Sequence, residues 1–361
     1  MEKQNLLCFL LSGCFFLLSL LSDIQGVQGS YSRHHRHGGG GVYGFRPKKL
    51  FVFGDSYADT GNLPKSAIDW QVPYGITFPG KPYGHFSDGR VLTEFLAKYL
   101  GLKSPVPYEM RKNKAKLARY GTNFAFGGTG VFNTTVAVGE PNMTAQIDFF
   151  QNLLKESAYR KSELESSLSL VAVSGNDYTT YIAEGGSELG FPSFITCVVN
   201  QIAVNLKRIH DMGVRKVAVT AIEPFGCLPE FTVANSFQQC NETANTLATL
   251  HNTLLEQAVA KLNSESKDPG AFIILDLYDA FSSILNHKET TVKFESPILK
   301  PCCFGTASGY SCGSLNAKGE KMYTLCNNPN ATFFWDNVHP TQAGWRVVFF
   351  YLKSKFEKSS Y

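Results

Sequence analysis

A serine, an aspartate and a histidine stand out by type and position. Ser56 sits just beyond a short apolar run, Lys49 to Phe53, that breaks at Gly54. Asp336 and His339 lie three residues apart, about 280 positions later, ahead of Pro340. A serine hydroxyl is a weak nucleophile until a base takes its proton, and an imidazole is a poor base until a partner fixes its tautomer. Ser56, His339 and Asp336 can fill these three roles, and hydrolases use the chain order Ser, Asp, His. Spacing of i,i+3 lets Asp336 and His339 face one way on a single turn. Pro340 offers no backbone donor and favours an irregular loop there.

Two further polar turns follow apolar runs: Asn123 to Gly130, with Gly127 and Gly128 adjacent, and Gly175-Asn-Asp177. Gly309 to Gly313 matches the Gly-x-Ser-x-Gly elbow formally at Ser311. It lacks a buried strand before it and a helix after it, so it carries little weight. Gly54-Asp-Ser56, Gly127, Gly175-Asn-Asp177 and Asp336-Asn-Val-His339 resemble the four blocks of the GDSL esterase/lipase family, within the SGNH hydrolase superfamily. Order and spacing match its secreted plant branch, and the resemblance covers about residues 49 to 355. It implies a hydrolase of carboxyl esters that works through an acyl-enzyme with no metal or other cofactor. It also implies an oxyanion hole made by the amides of Ser56 and Gly127 and the side chain of Asn176. Sequence alone leaves Gly127 and Gly128 open, and the resemblance favours Gly127. Asp55 and Asp59 read as caps of the turn after Ser56. Two positions depart from the family pattern. Tyr57 replaces the leucine of the name motif and is expected to pack or to line the edge of the site. Phe126 stands where relatives often carry a small residue and is expected to narrow the acyl site.

Distant loops meet only if elements bring them together. Short apolar runs at Leu50–Phe53, Thr122–Ala125, Leu168–Ser174, Lys216–Ile222 and Ala271–Leu277 alternate with helical patterns. Ile195, Val198, Ile202, Leu206 and Ile209 mark one helix face, which Gly213 ends. Further helical patterns cover Thr93–Leu100, Met143–Leu154, Thr243–Leu262 and Gly344–Phe356. The expected fold is α/β: a flavodoxin-like three-layer α/β/α arrangement around a mostly parallel sheet of about five strands. Such sheets gather reactive groups beyond the carboxyl ends of their strands.

The chain has 361 residues, 43% hydrophobic and 18% charged, with a net charge of +4, as a globular protein would. Basic residues form no aromatic-interleaved stripe, so no nucleic-acid partner is expected. Residues 1–29 read as a signal peptide, with an apolar Leu6 to Ser22 and small residues before Ser30. That run is short for a membrane span, and no later segment is expected to cross a bilayer. Residues 30–48 read as a flexible His/Gly-rich arm and 49–358 as the hydrolase domain. Seven cysteines follow residue 29. Three bridges and one free thiol are expected, with Cys227–Cys240 the first choice because it closes a short loop. Sequons at Asn133, Asn142, Asn241 and Asn330 agree with a secreted, extracellular glycoprotein. The expected partner is a small-molecule or lipid ester, met by a monomer. Within that reading stand an acetylesterase acting on cell-wall polysaccharide and an acyltransferase using the same triad. The reading from another class is a secreted binding protein without turnover.

Overall fold

The computed structural model describes residues 41–358 apart from 43, 114, 174 and 287–291. Residues 1–29, expected as a signal peptide, and most of the expected arm therefore lie outside the described residues. Six parallel strands form the central sheet: β1 (Lys49–Gly54), β2 (Val106–Pro107), β3 (Thr122–Asn123), β4 (Ser167–Ala172), β5 (Lys216–Thr220) and β6 (Phe272–Leu275). Their order is β2-β3-β1-β4-β5-β6. The sheet thus has one strand more than expected. Val106–Pro107 has only two residues, one of them a proline, and shows no apolar period from which a strand can be read.

Strands β1, β4 and β5 are buried along their whole length, which is why they read as near-continuous apolar runs. Gly54 pairs in register with Ala172 at their carboxyl ends. Its φ is +133°, and a β-carbon there would lie 1.8 Å from the Ala172 carbonyl oxygen. Only glycine lets β1 approach β4 this closely at the point where the chain turns toward Ser56. The Gln146 side-chain amide grips the same residue, accepting from Gly54 N–H at 2.8 Å and donating to Gly54 O at 2.9 Å.

The helices in chain order are α1 (Leu92–Tyr99), α2 (Met143–Lys155), α3 (Lys161–Leu164), α4 (Asn176–Ala183), α5 (Phe191–Asp211), α6 (Pro229–Thr232), α7 (Glu242–Glu265), α8 (Leu277–Leu285) and α9 (Gln342–Lys358). Helices α2, α5 and α7 pack against strands of the sheet and line up beside one another, while α1, α8 and α9 pack together in a second group. The result is the expected α/β/α arrangement. Asn142, Asn241 and Asp276 cap α2, α7 and α8, each accepting from a backbone N–H of the first turn. Helix α4 was read as a turn because Gly175-Asn-Asp is ordinary turn chemistry. Its buried face carries Asp177 and Thr180 as well as Tyr178, which blurs the apolar period.

The segment assigned to a flexible arm is not free throughout. Val42 is buried in the core, and Tyr99 donates to the Gly41 carbonyl at 2.9 Å. By length and composition one helical stretch, Glu188–Asp211, would suit a membrane span. Ile195, Val198, Ile202, Leu206 and Ile209 of that stretch are nevertheless buried within the core of the domain. Three bridges link Cys227–Cys240, Cys302–Cys326 and Cys303–Cys312. Cys197, expected as the free thiol, is also disulfide-bonded.

The interior holds acids that make no salt bridge among the described residues. Burial pushes the Asp59 carboxyl up to about 7, Asp69 to about 8, Asp177 to about 6 and Glu223 to about 8. Each therefore keeps its proton in the fold to a higher pH than in the unfolded chain, so their contribution to stability is lost as pH rises from about 4 to 8. His251, lowered by burial to about 3, acts oppositely, and only below pH 6.5. The melting temperature should fall from pH 6.5 to pH 8.5; a flat or rising profile in a thermal scan would contradict this assignment.

Candidate active site

Ser56 lies in the turn directly after β1, and Asp336 and His339 lie in the turn before α9. The structure joins them although 283 residues separate Ser56 from His339: the Ser56 Oγ is 2.8 Å from His339 Nε2. His339 Nδ1 is 2.8 Å from Asp336 Oδ1 and 2.9 Å from Oδ2. All three side chains are largely buried. With Asp336 accepting at Nδ1, the ring carries its proton there and presents a lone pair at Nε2 to the serine hydroxyl. Burial pushes the Asp336 carboxyl up, but the facing His339 ring and its hydrogen bonds outweigh this and hold it below the usual carboxylate range. Asp336 therefore stays ionised, as a group that stabilises an imidazolium must.

The Asp336–His339 turn is held from several sides. Asp336 Oδ1 also accepts from the Val338 and His339 N–H groups at 2.9 and 2.8 Å. Tyr74 donates its hydroxyl to Asp336 Oδ2 at 2.9 Å. Burial, and then the facing carboxylate, raise the Tyr74 phenol well above its ordinary value, so it remains a donor. The adjacent cysteines Cys302 and Cys303 donate their N–H groups to the Phe334 and Trp335 carbonyls, which ties the segment before Asp336 to two disulfides. The Phe86 ring stacks on His339, with centroids 5.0 Å apart. Sequence reasoning missed Tyr74 and Phe86, for neither carries a local motif.

Of the two departures from the family pattern, Tyr57 takes the first of its two expected roles and packs. Tyr57 is fully buried and lines no edge; its ring packs edge-on against Trp345 and His339. Phe126 is also buried. The ring that abuts the glycine turn is Phe86: a β-carbon on Gly127 would lie 2.2 Å from it.

Asn176 opens helix α4 just after β4. Its Nδ2 donates to the Thr129 carbonyl at 3.0 Å and lies 3.4 Å from Asp55 Oδ2. That places the amide between the glycine turn and the residue preceding Ser56. The Gly127 N–H points to Asp59 Oδ2 at 3.0 Å. Asp59 Oδ1 accepts from the Gly61 and Asn62 N–H groups, and Asp55 Oδ1 from that of Tyr57, so both aspartates brace the turn that carries Ser56. Asp177 accepts from the Val131 and Phe132 N–H groups at 2.8 and 2.9 Å and ties the glycine turn to α4. Ser311 is exposed, with its Oγ facing Ser314 Oγ at 3.3 Å, and its neighbour Cys312 is bridged. Among the described residues no histidine bonds to Ser311.

Residues 50–352 match the GDSL-like lipase/acylhydrolase family. A GDSL esterase/lipase of Arabidopsis thaliana is 54% identical over 96% of this chain and 95% of its own. Acetylajmalan esterase 2 of Rauvolfia serpentina is 32% identical over 84% of this chain and 88% of its own. Among solved structures, an acetylxylan esterase from Geobacillus stearothermophilus aligns with 87% of this chain and 95% of its own, at 12% identity and a TM-score of 0.36. This chain belongs to the GDSL-like lipase/acylhydrolase family and is a carboxylic ester hydrolase.

Proposed function

We propose that the chain is a secreted serine hydrolase that cleaves carboxyl esters through an acyl-enzyme on Ser56. The continuous link Ser56 Oγ–His339–Asp336, with contacts of 2.8 Å at each nitrogen, carries this reading. Ser56 Oγ attacks the ester carbonyl while its proton passes to His339 Nε2. Asp336 stabilises the resulting imidazolium. The tetrahedral oxyanion collapses, the alkoxide leaves with the proton from Nε2, and the acyl group stays on Ser56. Water then attacks, giving its proton to Nε2, and the carboxylic acid departs with Ser56 restored.

The oxyanion meets the Ser56 N–H and the Asn176 side chain. Gly127 joins them only by exchanging its Asp59 contact for the oxyanion; Gly128 is the neighbouring choice. Asn176→Ala should lower kcat by about 100-fold or more with little change in KM. An unchanged kcat would remove Asn176 from the oxyanion site.

Residues 1–29 act as a secretory signal and 49–358 form the catalytic domain, in keeping with the three bridges found. Asn133, Asn241 and Asn330 are exposed and Asn142 half-buried, and all four are offered as glycosylation sites. Assays of purified secreted protein on p-nitrophenyl esters of increasing acyl length test the reading. Turnover of at least one ester that Ser56→Ala abolishes supports it. Undiminished turnover by that variant, or none by the wild type on any ester, contradicts it. Added alcohols separate hydrolysis from acyl transfer, since a transferase yields a new ester in place of the free acid.

A further inference from the structure

Tyr57 and Glu223 meet beneath the turn that carries His339, and neither takes part in the chemistry just described. The Tyr57 hydroxyl oxygen is 3.0 Å from the Val338 carbonyl oxygen and 3.1 Å from Glu223 Oε1. Both side chains are fully buried. The Val338 carbonyl and the His339 N–H belong to one peptide unit, whose N–H is already held by Asp336 Oδ1 at 2.8 Å. Tyr57 therefore clamps the other end of the peptide that aims the imidazole.

A phenol has one proton, yet it faces two oxygens here. The carbonyl can only accept, so the Tyr57 proton satisfies it only if Glu223 supplies a second proton to the phenol oxygen. No lysine or arginine pairs with Glu223 among the described residues; the groups facing it are Tyr57 and Asp55 from the turn after β1 and Glu230 from α6. Asp336 faces Tyr57 from the His339 turn. All these neighbours are neutral or acidic, and an environment of that kind keeps a carboxylic acid protonated.

We infer that Tyr57 and Glu223 are positioning residues, a relay Glu223–H to Tyr57–H to Val338 C=O that holds His339 in line with Ser56 while the Glu223 carboxyl keeps its proton. This inference rests on the proposed role of His339. Burial, then the charge of Asp55, push Glu223 up to about 8, the Tyr57 contact pulling the other way. Above that pH the carboxylate draws the Tyr57 proton to itself, and the Val338 carbonyl loses its donor. The sign is thus a loss of kcat on the alkaline side.

Four variants test it by kcat, KM and pH profile on one p-nitrophenyl ester. Tyr57→Phe keeps the ring and should lower kcat about tenfold with KM little changed. Glu223→Leu should do the same. Glu223→Gln offers an N–H in place of the acid proton and cannot ionise, so it should recover most of the kcat lost in Glu223→Leu and lack the alkaline fall. Tyr57→Phe combined with Glu223→Leu leaves no orphaned acid; it separates loss of positioning from loss of folding and should still show the low kcat. Wild-type kcat in Tyr57→Phe, or an alkaline fall retained in Glu223→Gln, would overturn the relay. If Ser56→Ala is inactive while Tyr57→Phe is normal, only the relay fails; if Ser56→Ala turns over, the triad reading fails with it.

Discussion

His339→Ala should lower kcat for ester hydrolysis by about 10⁴-fold or more, with the fold intact. Among the described residues the ring is the sole base in contact with Ser56 Oγ, at 2.8 Å. Without it the serine proton has no acceptor in reach, and the leaving alkoxide has no donor. Residual turnover would come from substrate binding and oxyanion donors alone. Removing the ring leaves a void beneath Phe86 and beside Tyr57, but the turn keeps its backbone ties: Trp335 N–H to His339 O and the amides held by Asp336. Circular dichroism should therefore be unchanged and the melting temperature only modestly lower. Turnover within tenfold of wild type would refute the base assignment.

Gly54→Ala should cost stability on the order of 4 kcal/mol or more. The added methyl would meet the Ala172 carbonyl at 1.8 Å, and φ of +133° is strained for any side chain. Relief requires parting β1 from β4 at the junction that launches Ser56, and the Gln146 clamp on Gly54 would break with it. Activity should fall with stability, since the serine turn loses its anchor. A urea midpoint equal to that of the wild type would show that the strands separate cheaply and that this glycine is dispensable.

The sheet's middle was legible because a parallel strand buried on both faces must be apolar throughout: Leu50–Phe53 and Lys216–Ile222 announce themselves. The long helices were legible from one apolar stripe each, as in Ile195 to Ile209. Val106–Pro107 and α4 were not, since the first is too short for any period and the second begins in turn residues and buries polar groups. Ser56, Asp336, His339 and Asn176 were readable as candidates because few residue types can do their chemistry. Tyr74, Phe86 and Glu223 were not, because their roles arise from contacts across 166 to 262 residues of chain that no local pattern encodes. The place of Phe86 has the same origin: packing alone decided that its ring would face the glycine turn.

The most direct test is to trap the nucleophile. Treating the purified protein with a fluorophosphonate that reacts only with activated serines, then mapping the adduct by mass spectrometry, should place a single label on Ser56, and labelling should be nearly lost in His339→Ala. A label on Ser311 or any other serine, or unchanged labelling of Ser56 without His339, would contradict the account.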